Sequence, residues 1–205
     1  LANFTAPQLG AHAIKAALQR SGISADKVNH VIGGQVVQAA VGQNPARQSA
    51  VHAGISLDVP AITINSVCLS GAEAVAYATR LIESGEADVV IAVGQESMSN
   101  APHAWVGSRQ GKKYGDVTMV DTLQLDALTD AFQKITMGEA TEASTKKLGT
   151  SREAQDSIAV ESHLRAEKFR GFVDQEIEAI EISARGKSTK ISTDDGIRAD
   201  STIES

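Results

Sequence analysis

The chain has 205 residues, 42% hydrophobic and 21% charged, with 17 Gly, 4 Pro and a single Cys; it is long enough to bury a core and cannot form an intrachain disulfide. A formal net charge of −6 excludes a broad basic footprint for nucleic acid or an anionic membrane, so an anionic ligand needs a local cluster of cations. No apolar run spans a bilayer, and Leu1-Ala2-Asn3-Phe4 lacks the charged and apolar regions of a secretory leader, so the default location is the cytoplasm.

Up to about Gly94 the chain alternates helix and strand. Thr5-Ala6-Pro7-Gln8 has capping-box spacing with Pro in the first turn, and Leu9, Ala13, Ile14, Ala17 and Leu18 then form an apolar stripe that Gly22 stops. His30 to Val37 reads as a strand, and Asn44-Pro45 opens a short helix ending near Gly54. Ala61-Ile62-Thr63-Ile64 reads as a buried strand leading through Asn65-Ser66-Val67-Cys68 into a helix from about Leu69 to Ser84, closed by Gly85. Asp88 to Val93 is an unbroken apolar strand, as expected of a sheet covered on both faces. This alternation predicts an α/β fold with a mostly parallel sheet covered by helices.

The character changes after Gly94. Gln95 to about Asp126 is polar and irregular, with short segments such as Val117 to Val120. Helical patterning returns around Ala140 to Leu148, and again after the capping arrangement Thr150-Ser151-Arg152-Glu153. Glu176 to Ile182 reads as an edge strand and the tail from Ser183 as loop. The expected organisation is an α/β domain over 1–95 followed by an inserted loop-rich α+β subdomain over 96–205.

Cys68 stands where a buried strand turns into a helix rich in small residues (Ser70, Gly71, Ala72, Ala74, Ala76, Ala78). A lone Cys is ordinarily a small buried hydrophobe. At a helix N-terminus, however, unpaired backbone N–H groups and the positive dipole end favour an anionic sulfur. The same donors can stabilise an oxyanion on a carbonyl attacked by that sulfur. Gly71 and the alanines allow a backbone or ligand to approach closely. Spacing alone does not name the substrate.

Several separate motifs resemble those of thiolases, in the family's order. Asn65-Ser66-Val67-Cys68-Leu69-Ser70-Gly71 is similar to the thiolase nucleophile motif, and Gly94 to His103 to the segment after the next strand. Asp126 to Phe132, Met137-Gly138 and Ser151 to Asp156 resemble the family's loop domain. Ketoacyl synthases share the fold, but their Ala-Cys-Ser-Ser-like motif fits Cys68 less well. The resemblance implies a thiolase-like layered fold and an acyl-CoA C-acyltransferase, closest to the short-chain acetyl-CoA C-acetyltransferase branch.

In that family the reactive Cys takes an acyl group from acyl-CoA and a second CoA thioester attacks as an enolate; the reverse reaction cleaves a 3-oxoacyl-CoA such as acetoacetyl-CoA. The resemblance thus implies that Cys68 is the acyl acceptor, that Leu128 and Met137 line the pantetheine tunnel, and that Arg198 sits near the nucleotide end of CoA. By residue type alone these three read as a core Leu, a core Met and a solvated Arg. Thr136 stands where many members have His, and His103 is taken as structural. Coenzyme A thioesters are expected as substrates, with no separate cofactor and no metal.

Ser108 to Asp121 resembles the hairpin that joins thiolase dimers into tetramers, so a homo-oligomer is expected. The family's Gly-His-Pro, Cys-Gly-Gly, Asn-Glu-Ala-Phe and opening Arg-Thr-Pro motifs do not occur here, so the resemblance implies an amino-terminal portion, inactive alone. The competing readings are a thiolase-like protein that binds CoA or lipid without turnover, and an oligomerisation scaffold.

Overall fold

The computed structural model describes residues 1–184 and 186–204. It divides into two compact units, Leu1–Ala131 and the chain from Phe132 onward; the change of character after Gln95 lies within the first.

The first unit opens with α1 (Ala6–Ser21), whose capping box is formed by Thr5 and Gln8 and whose end is turned by Gly22 at φ 69°. There follow β1 (His30–Gly34), α2 (Pro45–His52), β2 (Ala61–Ile64), α3 (Ser70–Glu83) and β3 (Val90–Gly94). The strands form one parallel sheet in the order β2-β1-β3, with Ile32 opposite Ile62 and Ala92. The expected α/β class and each of these elements are present.

β1 is the central strand and is apolar on both faces. Val31 packs with Ile14 and Leu18 of α1 and Ala50 of α2, while Ile32 packs with Ala74 and Ala78 of α3. Val31 and Ile32 are fully buried, each contributing roughly 1.5–3 kcal/mol relative to exposure. Small residues set the layer spacing. A Cβ on Gly34 would lie 2.4 Å from the Ser70 carbonyl oxygen, so the first turn of α3 lies directly against the end of β1.

β1 ends at Gly34, earlier than the expected Val37. The N–H groups of Val36 and Val37 leave the ladder and donate to the Glu96 carboxylate at 2.9 and 3.2 Å. Beyond β3 the chain makes a short antiparallel pair, β4 (His103–Ala104) with β5 (Val120–Asp121), and a single π turn at Gln124–Leu128. His103 is exposed and opposes Asp121 in that pair.

The second unit contains α4 (Met137–Leu148), α5 (Arg152–Lys168), the short α6 (Arg170–Val173) and the antiparallel pair β6 (Ile180–Ala184) and β7 (Lys187–Ile191). Among its described residues none is fully buried. Three sequence expectations are corrected here. The edge strand begins at Ile180 and runs to Ala184, because Glu176 is still in the turn after α6, its N–H donating to the Val173 carbonyl. α4 starts three residues before Ala140, because Thr136 and Glu139 form a capping box. The tail is not all loop: Gly186, at φ 76°, permits a reversal, and Lys187–Ile191 pairs with β6. β7 is polar and exposed throughout, so no apolar alternation betrays it.

Candidate active site

Cys68 lies in the turn joining β2 to α3, and its thiol is free and exposed. The turn is built by local polar contacts. The Asn65 side-chain oxygen accepts the Val67 N–H at 2.9 Å. The Ser70 hydroxyl donates to the Val67 carbonyl at 2.6 Å and accepts the Ser66 N–H at 2.9 Å. The Leu69 N–H donates to the Ser66 carbonyl and the Ser70 N–H to the Val67 carbonyl. Val67 itself adopts φ 52°, the left-handed region that a β-branched residue rarely occupies.

This strained elbow places Cys68 in the turn between β2 and Leu69, the N-cap of α3. Leu69, at the N-cap, offers no side-chain cap, and the first i→i−4 bond of the helix runs from the Glu73 N–H to the Leu69 carbonyl at 2.8 Å. The helix therefore opens beside Cys68 with backbone donors that no cap side chain satisfies. A sulfur nucleophile with adjacent N–H donors is suited to acyl transfer through a tetrahedral oxyanion. Gly71 allows the close approach expected of it: a Cβ built on Gly94 lies 3.5 Å from the Gly71 Cα.

Behind the turn lies a buried polar network. The Ser49 hydroxyl donates to the Gln95 side-chain oxygen at 2.5 Å, and the Gln95 amide nitrogen donates to Gln35 Oε1 at 2.9 Å. Gln35 in turn donates to the Val37 carbonyl at 2.8 Å. Glu96, next in sequence, takes the Val36 and Val37 N–H groups, and Asn65 Nδ2 donates to the Val36 carbonyl at 3.3 Å. Asn65 opens the nucleophile motif and Glu96 falls within the Gly94 to His103 segment, but the sequence alone assigns neither a role. The available signal was position, since both follow the carboxyl ends of parallel strands, where sites on such sheets are built.

The other expected site residues are distributed over the two units. Leu128 closes the π turn of the first unit and is 43% exposed; Met137 is the first residue of α4 and is 40% exposed. Neither is a core residue. Thr136, where the family often has His, is the N-cap of α4. Arg198 lies beyond β7, where its backbone N–H donates to His163 Nδ1 at 3.2 Å. It lines a cleft of about 310 Å³ with Arg152, Asp156, His163 and Ser201. Arg152 is ion-paired to Asp156 at 2.8 Å, which raises its pKa above the ordinary arginine value. Among the described residues no group of three or more His, Cys, Asp or Glu is arranged to hold a metal ion, and no helix is long and apolar enough to cross a membrane.

A family profile described as "Thiolase, N-terminal domain" matches residues 1–205. The chain is 47% identical over 208 residues to a probable acetyl-CoA acetyltransferase of Mycobacterium leprae, covering 100% of this chain and 53% of that protein. It is 46% identical over 208 residues to the acetyl-CoA acetyltransferase of Cupriavidus necator, with the same coverage. The crystal structure of the Bacillus anthracis acetyl-CoA acetyltransferase superposes with a TM-score of 0.93 at 34% identity, over 100% of this chain and 52% of that one. The chain thus spans about half the length of the relatives it matches, and with its parallel sheet and cysteine elbow it belongs to the thiolase family, matching that family's N-terminal domain.

Proposed function

We propose that the complete protein containing this chain is an acyl-CoA C-acyltransferase of the acetyl-CoA C-acetyltransferase kind, with Cys68 as the acyl acceptor. The observation that carries this reading is the elbow that presents an exposed thiol at the uncapped start of α3, in a chain whose relatives are named acetyl-CoA acetyltransferases. In the forward direction the Cys68 sulfur attacks the thioester carbonyl of acetyl-CoA. A carbon–sulfur bond forms to Cys68, the bond to the CoA sulfur breaks, and CoA leaves with the proton given up by the Cys68 thiol. A second acetyl-CoA then gives up an α-proton and, as the enolate, forms a carbon–carbon bond to the acetyl carbon. The bond to Cys68 breaks, acetoacetyl-CoA is released and the displaced Cys68 sulfur ends with that proton; thiolysis is the reverse.

Leu128 and Met137 are assigned to the pantetheine arm and Arg198 to the nucleotide phosphates, which a guanidinium recognises well. The same reading includes CoA thioesters as substrates with no separate cofactor, a place in fatty acid metabolism, a cytoplasmic location and a homotetramer joined through Ser108 to Asp121. Light scattering on the full-length protein tests the tetramer, which a monomer at micromolar concentration would refute.

The central test is acetylation. The full-length protein incubated with acetyl-CoA and digested should yield an acetylated peptide containing Cys68, and Cys68→Ala should yield none. Acetyl found only on other residues, or unchanged turnover in Cys68→Ala, removes the assignment.

A further inference from the structure

We propose that Glu96 is a positioning residue for the nucleophile, acting on Cys68 through a row of hydrogen bonds that crosses from β3 to the elbow. The proposal rests on the reading of Cys68 as the acyl acceptor. The row begins at the Glu96 carboxylate, which accepts the Val37 N–H at 3.2 Å and the Val36 N–H at 2.9 Å. The Val37 N–H and the Val36 carbonyl belong to one peptide group. That carbonyl accepts Asn65 Nδ2 at 3.3 Å, and Asn65 Oδ1 accepts the Val67 N–H at 2.9 Å. The next residue is Cys68.

Every link has the same sense, with the donor on the Cys68 side and the acceptor on the Glu96 side. An anion at the acceptor end polarises such a chain, and each bond strengthens its neighbours. The row also fixes the Asn65 amide in one orientation, because only Nδ2 can donate to the Val36 carbonyl and only Oδ1 can accept from Val67. Val67 is held at φ 52°, a conformation that persists only where its surroundings determine it. The carboxylate is half-buried and approaches from a different strand than the elbow. It therefore ties the nucleophile's backbone to the end of β3 instead of leaving it to the local turn alone.

A displacement of the nucleophile by about 1 Å is enough to cost about 10²-fold in rate. In the full-length protein, Glu96→Ala should lower kcat for acetoacetyl-CoA thiolysis by about that factor, with KM within about twofold. Glu96→Gln should recover most of kcat, because one oxygen, Oε2, already accepts both N–H groups. Asn65→Asp removes the donor to Val36 while leaving the Glu96 bonds intact, and should reproduce the kcat loss. Glu96→Ala combined with Asn65→Asp should be no worse than the poorer single variant, because both cut one row. A purely structural carboxylate would lower the melting temperature and leave kcat unchanged, which would overturn the proposal, as would additive losses. Should Glu96→Ala not fold, Asn65→Asp decides: normal kcat there refutes the row. Cys68→Ala run alongside separates the two readings. If it still forms acetyl-enzyme, the nucleophile is misassigned; if it does not and Glu96→Ala is fully active, only the positioning role fails.

Discussion

Asn65 and Val67 are two residues apart, and the side-chain oxygen of the first holds the backbone N–H of the second at 2.9 Å. This Asx-type turn keeps Val67 at φ 52°, where its branched side chain is sterically costly. Proline at 67 would fix φ near −65° and delete the N–H that Asn65 accepts. Val67→Pro should therefore destabilise the full-length protein by about 3 kcal/mol or more in urea unfolding and abolish acetylation of Cys68. Val67→Gly keeps the N–H and allows positive φ, so it should retain acetylation within about tenfold. Normal acetylation in the proline variant would show that the elbow is dispensable.

Gly34 is a spacer between sheet and helix. A methyl there would meet Ser70 carbonyl oxygen at 2.4 Å and the Gly71 nitrogen at 2.8 Å, both backbone atoms that cannot swing aside. Gly34→Ala should cost at least the upper part of the roughly 1–3 kcal/mol range typical of overpacking. Because the displaced atoms begin α3, acetylation of Cys68 should slow as well. A variant with unaltered unfolding midpoint would show that the layers yield more easily than this geometry allows.

The capping box of α4 gives a pH signature. The Thr136 N–H and hydroxyl donate to Glu139 Oε2 at 2.7 and 2.8 Å. The bond from the Thr136 backbone, and then that from its hydroxyl, hold the Glu139 pKa below its ordinary value of 4.5. A carboxylate whose pKa is lower folded than unfolded adds stability above the unfolded value and loses it as pH falls through the folded one. Helicity in the α4 region, followed by hydrogen exchange, should fall as pH drops from 4.5 towards the lowered value. Glu139→Gln should remove that dependence, and an unchanged pH profile in Glu139→Gln would contradict this account. Thr136→Ala, which loses the N-cap oxygen, should weaken the helix by about 1 kcal/mol at neutral pH.

In the proposed function Arg198 serves binding and not chemistry. Arg198→Ala should raise KM for CoA thioesters with kcat nearly kept, the pattern of a contact made equally in ground and transition states. Steady-state thiolysis across CoA concentrations measures this, and a large fall in kcat at unchanged KM would contradict it.

Much of the first unit was legible because its signals are local. The Thr5–Gln8 box, Gly22, and the apolar runs around Val31, Ile62 and Val90 each specify an element without reference to the rest of the chain. The turn at Cys68 was legible for the same reason, as a strand-to-helix junction rich in small residues. What escaped was set across distance. The end of β1 is decided by Glu96, sixty residues on from Val36, and no periodicity records such a bond. The start of α4 was a local signal overlooked, since Thr136 and Glu139 stand at capping-box spacing. β7 escaped because a hairpin strand exposed on both faces needs no apolar alternation.

The distribution of buried side chains sets an order of events during synthesis. Every member of the two core clusters, from Ala11 to Val93, lies in the first half of the chain, whereas among the described residues from Phe132 onward none is fully buried. Within this chain, therefore, every residue of the two core clusters has emerged once Val93 has, before α4 and α5 are translated. The sheet with α1, α2 and α3 can close on the ribosome, and the elbow bearing Cys68 takes shape while the later helices are still unmade.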